Sequence, residues 1–338
     1  MLFFVVGLPG GFTEWCGALT AALAGKPGRP AAPIEAETLQ DLAASVIKAG
    51  EPHSTIVSCC PGGRLRGALA ETGRDFVVAL DDLRSALLDL VLWRGLDLAQ
   101  AVRLLASSCG SVIGCSLLPG ALVLTGDEVR AQPAATAAAV ARHLGIACDG
   151  DTIAALTEEL GAEKRRFQGD DAIAWWNGLD QAQRQMAIGA LAPYLDPDPI
   201  GGVLPITWTG DLFIACGRPE QAASAPIDIT GRARRLIDGP GIILPVGAWS
   251  LTLTLSCNRA AAEYEFLVEV TAGLPLAAAT LRPEAEGSAA IRIDFDIDHA
   301  TDHPVAIRVG TVRAAFDGVV SLLAASLVRA TPAAPNPP

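Results

Sequence analysis

The sequence predicts two domains of different class: α/β with a parallel sheet and flanking helices over residues 1–195, then an antiparallel all-β sandwich over residues 203–330. Three observations predict it. The first 24 residues run from an apolar stretch through LPGG into a helical pattern, a P-loop-like strand, turn and helix. Up to Pro193, short apolar runs keep alternating with helical stretches, the signature of parallel strands joined by helices. Beyond DPDPIGG (196–202) the apolar period drops to two, with turns but no helical pattern between the runs, as in a sandwich. The 338 residues exceed what one core ordinarily fills, which agrees with two domains.

In the first domain the expected strands are 2–7, 54–59, 75–80, 111–116 and 121–126, each a short apolar run bounded by turn residues. Expected helices cover Trp15–Ala24, Ala36–Ala49, Leu83–Leu92, Leu98–Ser107, Pro133–Leu144, Thr152–Leu160 and Gln181–Ala192. The fifth opens on Pro133, which a first helical turn tolerates, and stops at Gly145. In the second domain WSLTLTLS (249–256), YEFLVEV (264–270), AIRIDFDID (290–298) and VAIRVG (305–310) are the expected strands. TPAAPNPP (331–338) reads as a disordered proline-rich tail.

A net charge of -12 argues against nucleic acid and anionic membrane surfaces as partners, since phosphates are repelled at long range. No transmembrane segment is expected, because no apolar run reaches the roughly 18 to 20 residues a span needs. The apolar N-terminus lacks a basic start and turns to glycine early, so it reads as a strand rather than a secretory signal. Eight cysteines without regular spacing (Cys16, Cys59, Cys60, Cys109, Cys115, Cys148, Cys216 and Cys257) suit reduced thiols in a cytoplasm.

Three segments of the first domain carry a family likeness. GLPGGFTEW (7–15) stands where a loop like LPRSGTTW would wrap a 5′-phosphosulfate, and VVALDDLR (77–84) looks like a strand and turn ending in RDPR that grips a 3′-phosphate. LVLTGDEVRAQPAATAAAVARHLGI (122–146) reproduces a strand, acidic turn, proline-led helix and glycine stop in order. On these motifs residues 1–195 resemble the sulfotransferase family, which transfers a sulfuryl group from 3′-phosphoadenosine-5′-phosphosulfate to a hydroxyl or amine. The second domain resembles a carbohydrate-binding type of β-sandwich.

The positions that would carry the chemistry have diverged. The family's basic loop residue falls on Gly10, and its small residue after serine on Phe12. Setting Asp82-Leu83-Arg84 on the family's Asp-Pro-Arg puts Asp81 where a 3′-phosphate arginine belongs, and the family's later serine falls on Asp89. A charge pair near 4 Å is worth about 4 kcal/mol at an effective dielectric near 20, so reversing one sign swings binding by about 8 kcal/mol before water and salt reduce it. The family's donor is therefore expected to bind poorly. The resemblance leaves Gly10, Gly11, Phe12, Thr13 and Arg84 as cofactor-binding or vestigial positions, and names no general base among Glu14, Glu35, Glu37 and His53.

Other residues fit either a functional or a structural role. Arg232, Arg234 and Arg235 form the one dense basic cluster; they could hold a carboxylate or sulfate on a glycan, or pair with local acids. Trp208 and Trp249 could stack a sugar or fill the core. Trp175 and Trp176 read as packing residues. His299 and His303 with Asp298 and Asp302 hint at a metal, but the preceding alternation makes this a strand entering a turn, and no metal is expected. Cys59-Cys60 could expose a nucleophilic thiol or be inert and buried.

The sequence thus leads to the expectation of a non-catalytic, sulfotransferase-like binding or assembly module without cofactor, with a glycan or protein as partner, in polysaccharide production. The alternative is an atypical active sulfotransferase using 3′-phosphoadenosine-5′-phosphosulfate on a sugar or lipid hydroxyl, with Thr13 and Arg84 at its phosphates.

Overall fold

A computed structural model describes residues 1–25, 32–49, 53–161, 169–195, 206–244, 247–297 and 303–329. In it, five strands, β1 (Leu2–Gly7), β2 (Ile34–Glu35), β3 (Ser54–Ser58), β4 (Phe76–Leu80) and β5 (Ala121–Thr125), form a parallel sheet of order β2-β3-β1-β4-β5. Central strands of such a sheet are buried on both faces, which explains the unbroken apolar runs FFVV and VVA. The connecting helices are α1 (Gly11–Ala24), α2 (Leu39–Ala49), α3 (Gly63–Thr72), α4 (Leu83–Leu92), α5 (Leu98–Ser116), α6 (Gly126–Ala131), α7 (Pro133–His143), α8 (Gly150–Leu160) and α9 (Gly169–Gly178). On one face Phe3 and Val5 of β1, Val77 and Ala79 of β4, and Phe12, Trp15 and Leu19 of α1 share a core with Val140 of α7 and Ile153 of α8.

Local signals place four of the helix starts. Asp82 accepts the Ser85 N–H and caps α4, Thr125 and Glu128 form a capping box on α6, and Asp149 caps α8 through Thr152. Pro133 opens α7 as expected.

Two expectations are corrected. Residues 111–116 are not a strand but the last turns of α5. Ala101, Val102, Leu105, Ala106, Cys109, Val112 and Cys115 are buried at spacings of three and four, so a helical period continues through the apolar run SVIGCS. α1 begins at Gly11 rather than Trp15, leaving only Leu8, Pro9 and Gly10 between strand and helix. α5 is also the one described helix long and apolar enough to cross a membrane; half of that stretch is buried in the protein, as for a core helix.

The remainder is antiparallel. After α10 (Gln181–Leu195) come β6 (Ile206–Thr209), β7 (Ile214–Ala215), β8 (Arg218–Ala222), β9 (Ile227–Asp228), β10 (Arg235–Ile242), β11 (Gly247–Cys257), β12 (Phe266–Ala272), β13 (Leu274–Leu281), β14 (Gly287–Ile297), β15 (Val305–Thr311) and β16 (Val319–Arg329). One sheet runs β13-β12-β15-β10-β7-β8; the other runs β14-β11-β16-β6, with β9 joined to β16. The period-two pattern is realised in burial: Leu251, Leu253 and Leu255 of β11 and Val305, Ile307 and Val309 of β15 point inward.

Contacts divide the chain into two compact units. One comprises Met1–Asp97 with Ser108–Leu179, the other Leu98–Ser107 with Asp180–Pro338. Within the second unit α10 packs on β6, Arg103 donates to the Leu212 carbonyl and Ser107 to that of Gly241.

Candidate functional site

In an open α/β sheet, ligands bind at the carboxyl ends of the strands. Here that edge is formed by the ends of β1, β3 and β4 and by the head of α1. Gly10 precedes the helix at φ 155°, a conformation that favours glycine, and a Cβ there would lie 3.1 Å from Asp89 Oδ2. The reason for that proximity is a contact the sequence did not disclose. Asp89 Oδ2 accepts the backbone N–H of Gly11 at 2.6 Å, and Asp89 is almost wholly buried. A carboxylate thus sits where the first N–H groups and the positive end of the α1 dipole would receive an anion.

The other expected loop residues are turned to packing. Thr13 is buried and its hydroxyl donates to the Leu8 carbonyl at 2.6 Å. Phe12 is fully buried beside the near-parallel ring of Trp15, whose Nε1 donates to the Gly161 carbonyl. Arg84 is exposed in the first turn of α4. It lies five residues before Asp89, about 140° around the helix at 3.6 residues per turn, so the face that meets α1 is not the face that carries Arg84. The structure therefore gathers Gly10, Gly11, Phe12 and Thr13 at one point, but puts Asp89 there instead of Arg84.

A second carboxylate closes the neighbouring strand end. Glu37 accepts the Ser58 hydroxyl at 2.5 Å, the Cys59 N–H at 3.0 Å and the Cys60 N–H at 2.7 Å. With Glu37 so close, and burial acting first, the thiols of Cys59 and Cys60 are pushed up, that of Cys60 to about 12; burial likewise raises Cys109. Protonated thiols are poor nucleophiles, so a reactive cysteine at 59–60 is not supported. Arg94 supplies a guanidinium at this edge, 3.7 Å from Glu14, and its field partly offsets the rise at Cys59 and Cys60.

The donor 3′-phosphoadenosine-5′-phosphosulfate does not fit this set of groups. Its sulfate end would meet Asp89 on the Gly11 N–H, and Thr13 gives its hydroxyl to the backbone. Sequence reasoning put Asp89 in place of a phosphate ligand but did not see that it reaches α1. Glu37 was one of four undistinguished candidates, three acids and His53. Its cue was the strand end SCC-PGG, whose turn leaves backbone N–H groups in need of an acceptor.

In the sandwich, Trp208 is fully buried and Trp249 is 5% exposed, so neither ring offers a sugar platform; both are core residues facing inward from β6 and β11. Arg234 spends its guanidinium on the carbonyls of Asp228, Ile229 and Thr230 and is structural. Arg235 pairs with Asp238 at 3.1 Å, and Arg232 is exposed in the turn. Trp175 and Trp176 are half-buried on α9. Among the described residues no group of three or more His, Cys, Asp or Glu is placed to hold a metal; Asp298, His299 and Asp302 lie outside those residues. A groove of about 270 Å³ opens on the outer face of the six-stranded sheet, lined by Arg234, Arg235, Leu267, Glu269, Arg308 and Gly310.

No protein-family model matches the chain, and no curated protein matches it. Solved structures similar to its N-terminal part include mouse sulfotransferase SULT7A1 complexed with PAP (10% identity, 59% of this chain and 85% of that one, TM-score 0.42). Retinol dehydratase in a complex with retinol and PAP is another (11% identity, 58% and 81%, TM-score 0.39). The C-terminal part is similar to the CBM36-1 domain of a multidomain xylanase from the hindgut metagenome of Trinervitermes trinervoides (11% identity, 38% and 99%, TM-score 0.27).

Proposed function

We propose that this chain is a non-catalytic, sulfotransferase-like protein whose first unit is a scaffold and whose sandwich binds a glycan, in the production of a polysaccharide. One observation carries the loss of catalysis: the Asp89 carboxylate on the Gly11 N–H. An acceptor tethered by the fold competes with any free anion at a high effective concentration, and its charge repels a phosphosulfate. Glu37 acts in the same sense at the end of β3. A reducing, cytoplasmic setting belongs to the proposal, and the eight free thiols support it.

The test is calorimetry of the full chain with 3′-phosphoadenosine-5′-phosphate. The expected result is no heat of binding at millimolar nucleotide. Binding at micromolar concentration would overturn the reading and return the chain to the active transferases, with the donor's acceptor then sought among sugar and lipid hydroxyls.

A further inference from the structure

The groove on the outer face of the six-stranded sheet is lined by three arginines, Arg234, Arg235 and Arg308, against one carboxylate, Glu269. β10 contains a bulge between Arg235 and Ile237, where the pairing with β15 shifts register. The bulge buries both Leu236 and Ile237 and leaves Arg235 exposed opposite Gly310, whose missing side chain keeps the groove open. Asp238, outside the lining, is shared by two of the cations, 3.1 Å from Arg235 and 3.6 Å from Arg308. Even with Asp238 counted, cations exceed carboxylates three to two. On a chain of net charge -12 that is a local reversal of sign, and it favours an anion.

The excess charge is open to a ligand. The Arg234 guanidinium hydrogen-bonds to backbone carbonyls, which fix it without cancelling its charge. In the same turn the Asp228 carboxylate is engaged by the Thr230 N–H at 2.8 Å, and Arg232 adds an exposed cation. Arg308 is the least committed: its Nε has no hydrogen-bond partner, and its side chain is 34% exposed. Carboxylate and sulfate oxygens are the acceptors that an arginine fork holds most strongly.

An aromatic ring stands at the same end of the sheet. Gly231 and Ala315 exchange both backbone hydrogen bonds, which strap the basic turn to the loop between β15 and β16. The next residue, Phe316, is 91% exposed, yet its N–H donates to the Tyr264 hydroxyl at 2.9 Å, and Arg313 lies over the Tyr264 ring. A ring held in water by a braced backbone offers its face to the apolar face of a sugar. Counted along the chain and across the bridge, Phe316 and Ala233 of the groove are at most about 17 Å apart, within the span of one oligosaccharide.

We propose that this groove binds an acidic glycan, with Arg235 and Arg308 on the carboxylate or sulfate of one sugar and Phe316 stacked on another; the inference rests on the glycan-binding reading above. The test passes the full chain over immobilised oligogalacturonates, sulfated galactan oligosaccharides, the same galactan desulfated, and polyglutamate. The expected result is salt-sensitive retention by an acidic glycan, weakened about tenfold in Arg308→Gln and in Phe316→Ser. The arm that retains the chain, uronate or sulfate, identifies the anion. Phe316 is exposed, so its variant removes no buried packing, and melting curves confirm that both variants are folded. Acidic-glycan binding unchanged in Arg308→Gln would overturn the groove and leave the glycan reading standing, and binding unchanged in Phe316→Ser would overturn the stacking contact. Retention by the desulfated galactan alone would overturn the acidic ligand class. Equal retention by polyglutamate would overturn the glycan as ligand, since charge alone would then suffice. Retention by no member would overturn the glycan reading and the groove together.

Discussion

Asp89 and Gly11, 78 positions apart in sequence, are joined by a 2.6 Å charge-assisted hydrogen bond that ties the middle of α4 to the head of α1. The bond satisfies an N–H that no residue of α1 itself can reach, and it complements the helix dipole. It makes the anion cradle of this chain a packing joint.

Removing the carboxylate should therefore loosen the fold and reopen the cradle. Asp89→Ala is expected to cost about 1–3 kcal/mol, the price of an unsatisfied buried N–H. Thermal melts with and without sulfate should show a sulfate-specific stabilisation in Asp89→Ala that is absent in the parent and in Asp89→Asn, whose amide oxygen still fills the site.

Glu37 holds three donors, so its loss should cost more than that of a single bond. Glu37→Ala is expected to lower stability by about 3 kcal/mol, and Glu37→Gln by less, since one acceptor oxygen remains. Urea midpoints of the two variants against the parent measure the difference.

The raised thiols give an alkaline limit. Cys60 ionises near 9.0 when free and is pushed up to about 12 in the fold, with Cys59 and Cys109 raised in the same sense. A group whose folded pKa lies above its unfolded one stabilises fully below the unfolded value and loses that stabilisation as pH rises through the window. Urea midpoints should hold to about pH 9 and fall between 9 and 12, and Cys60→Ala should flatten the fall. Thiol titration of the native protein near pH 8 should be slow at all three sites.

Gly189 inverts the usual rule for helix interiors. Glycine to alanine there normally gains about 1 kcal/mol. On α10, however, a Cβ at 189 would press directly on the Thr207 carbonyl oxygen of β6. Gly189→Ala is expected to lower the melting temperature, whereas alanine at Gly178, where a Cβ meets nothing, should not.

Arg234 and Arg232 are neighbours in one basic turn with different expected costs. Arg234→Ala removes bonds to three carbonyls and should cost about 1–3 kcal/mol and speed proteolysis of the turn. Arg232→Ala should stay within about 0.5 kcal/mol, as exposed substitutions do.

The fold class was legible because period and punctuation agree along most of the chain. β1, α4 and α7 appear almost at their expected bounds, since a buried strand, an Asp cap and a Pro start each leave a local mark. SVIGCS failed because a short apolar run cannot tell a buried helix turn from a strand, and only its continuity with Leu98–Ser107 decides. β10 escaped notice because its bulge and its glycines break the alternation. The Gly11–Asp89 contact was half legible: the changed sign at Asp89 stood in the sequence, but a tertiary contact over 78 positions did not. The tryptophans were ambiguous from sequence because a strand position alone does not say which sheet face is covered.

The seating of α10 on β6 bears on how the protein can be divided. Severing the chain at residue 203 would leave β6 without its cover and strip away the buried Met186, Ala187, Ala190 and Leu191. A fragment meant to carry the sandwich alone would keep that helix as its lid by starting near Asp180.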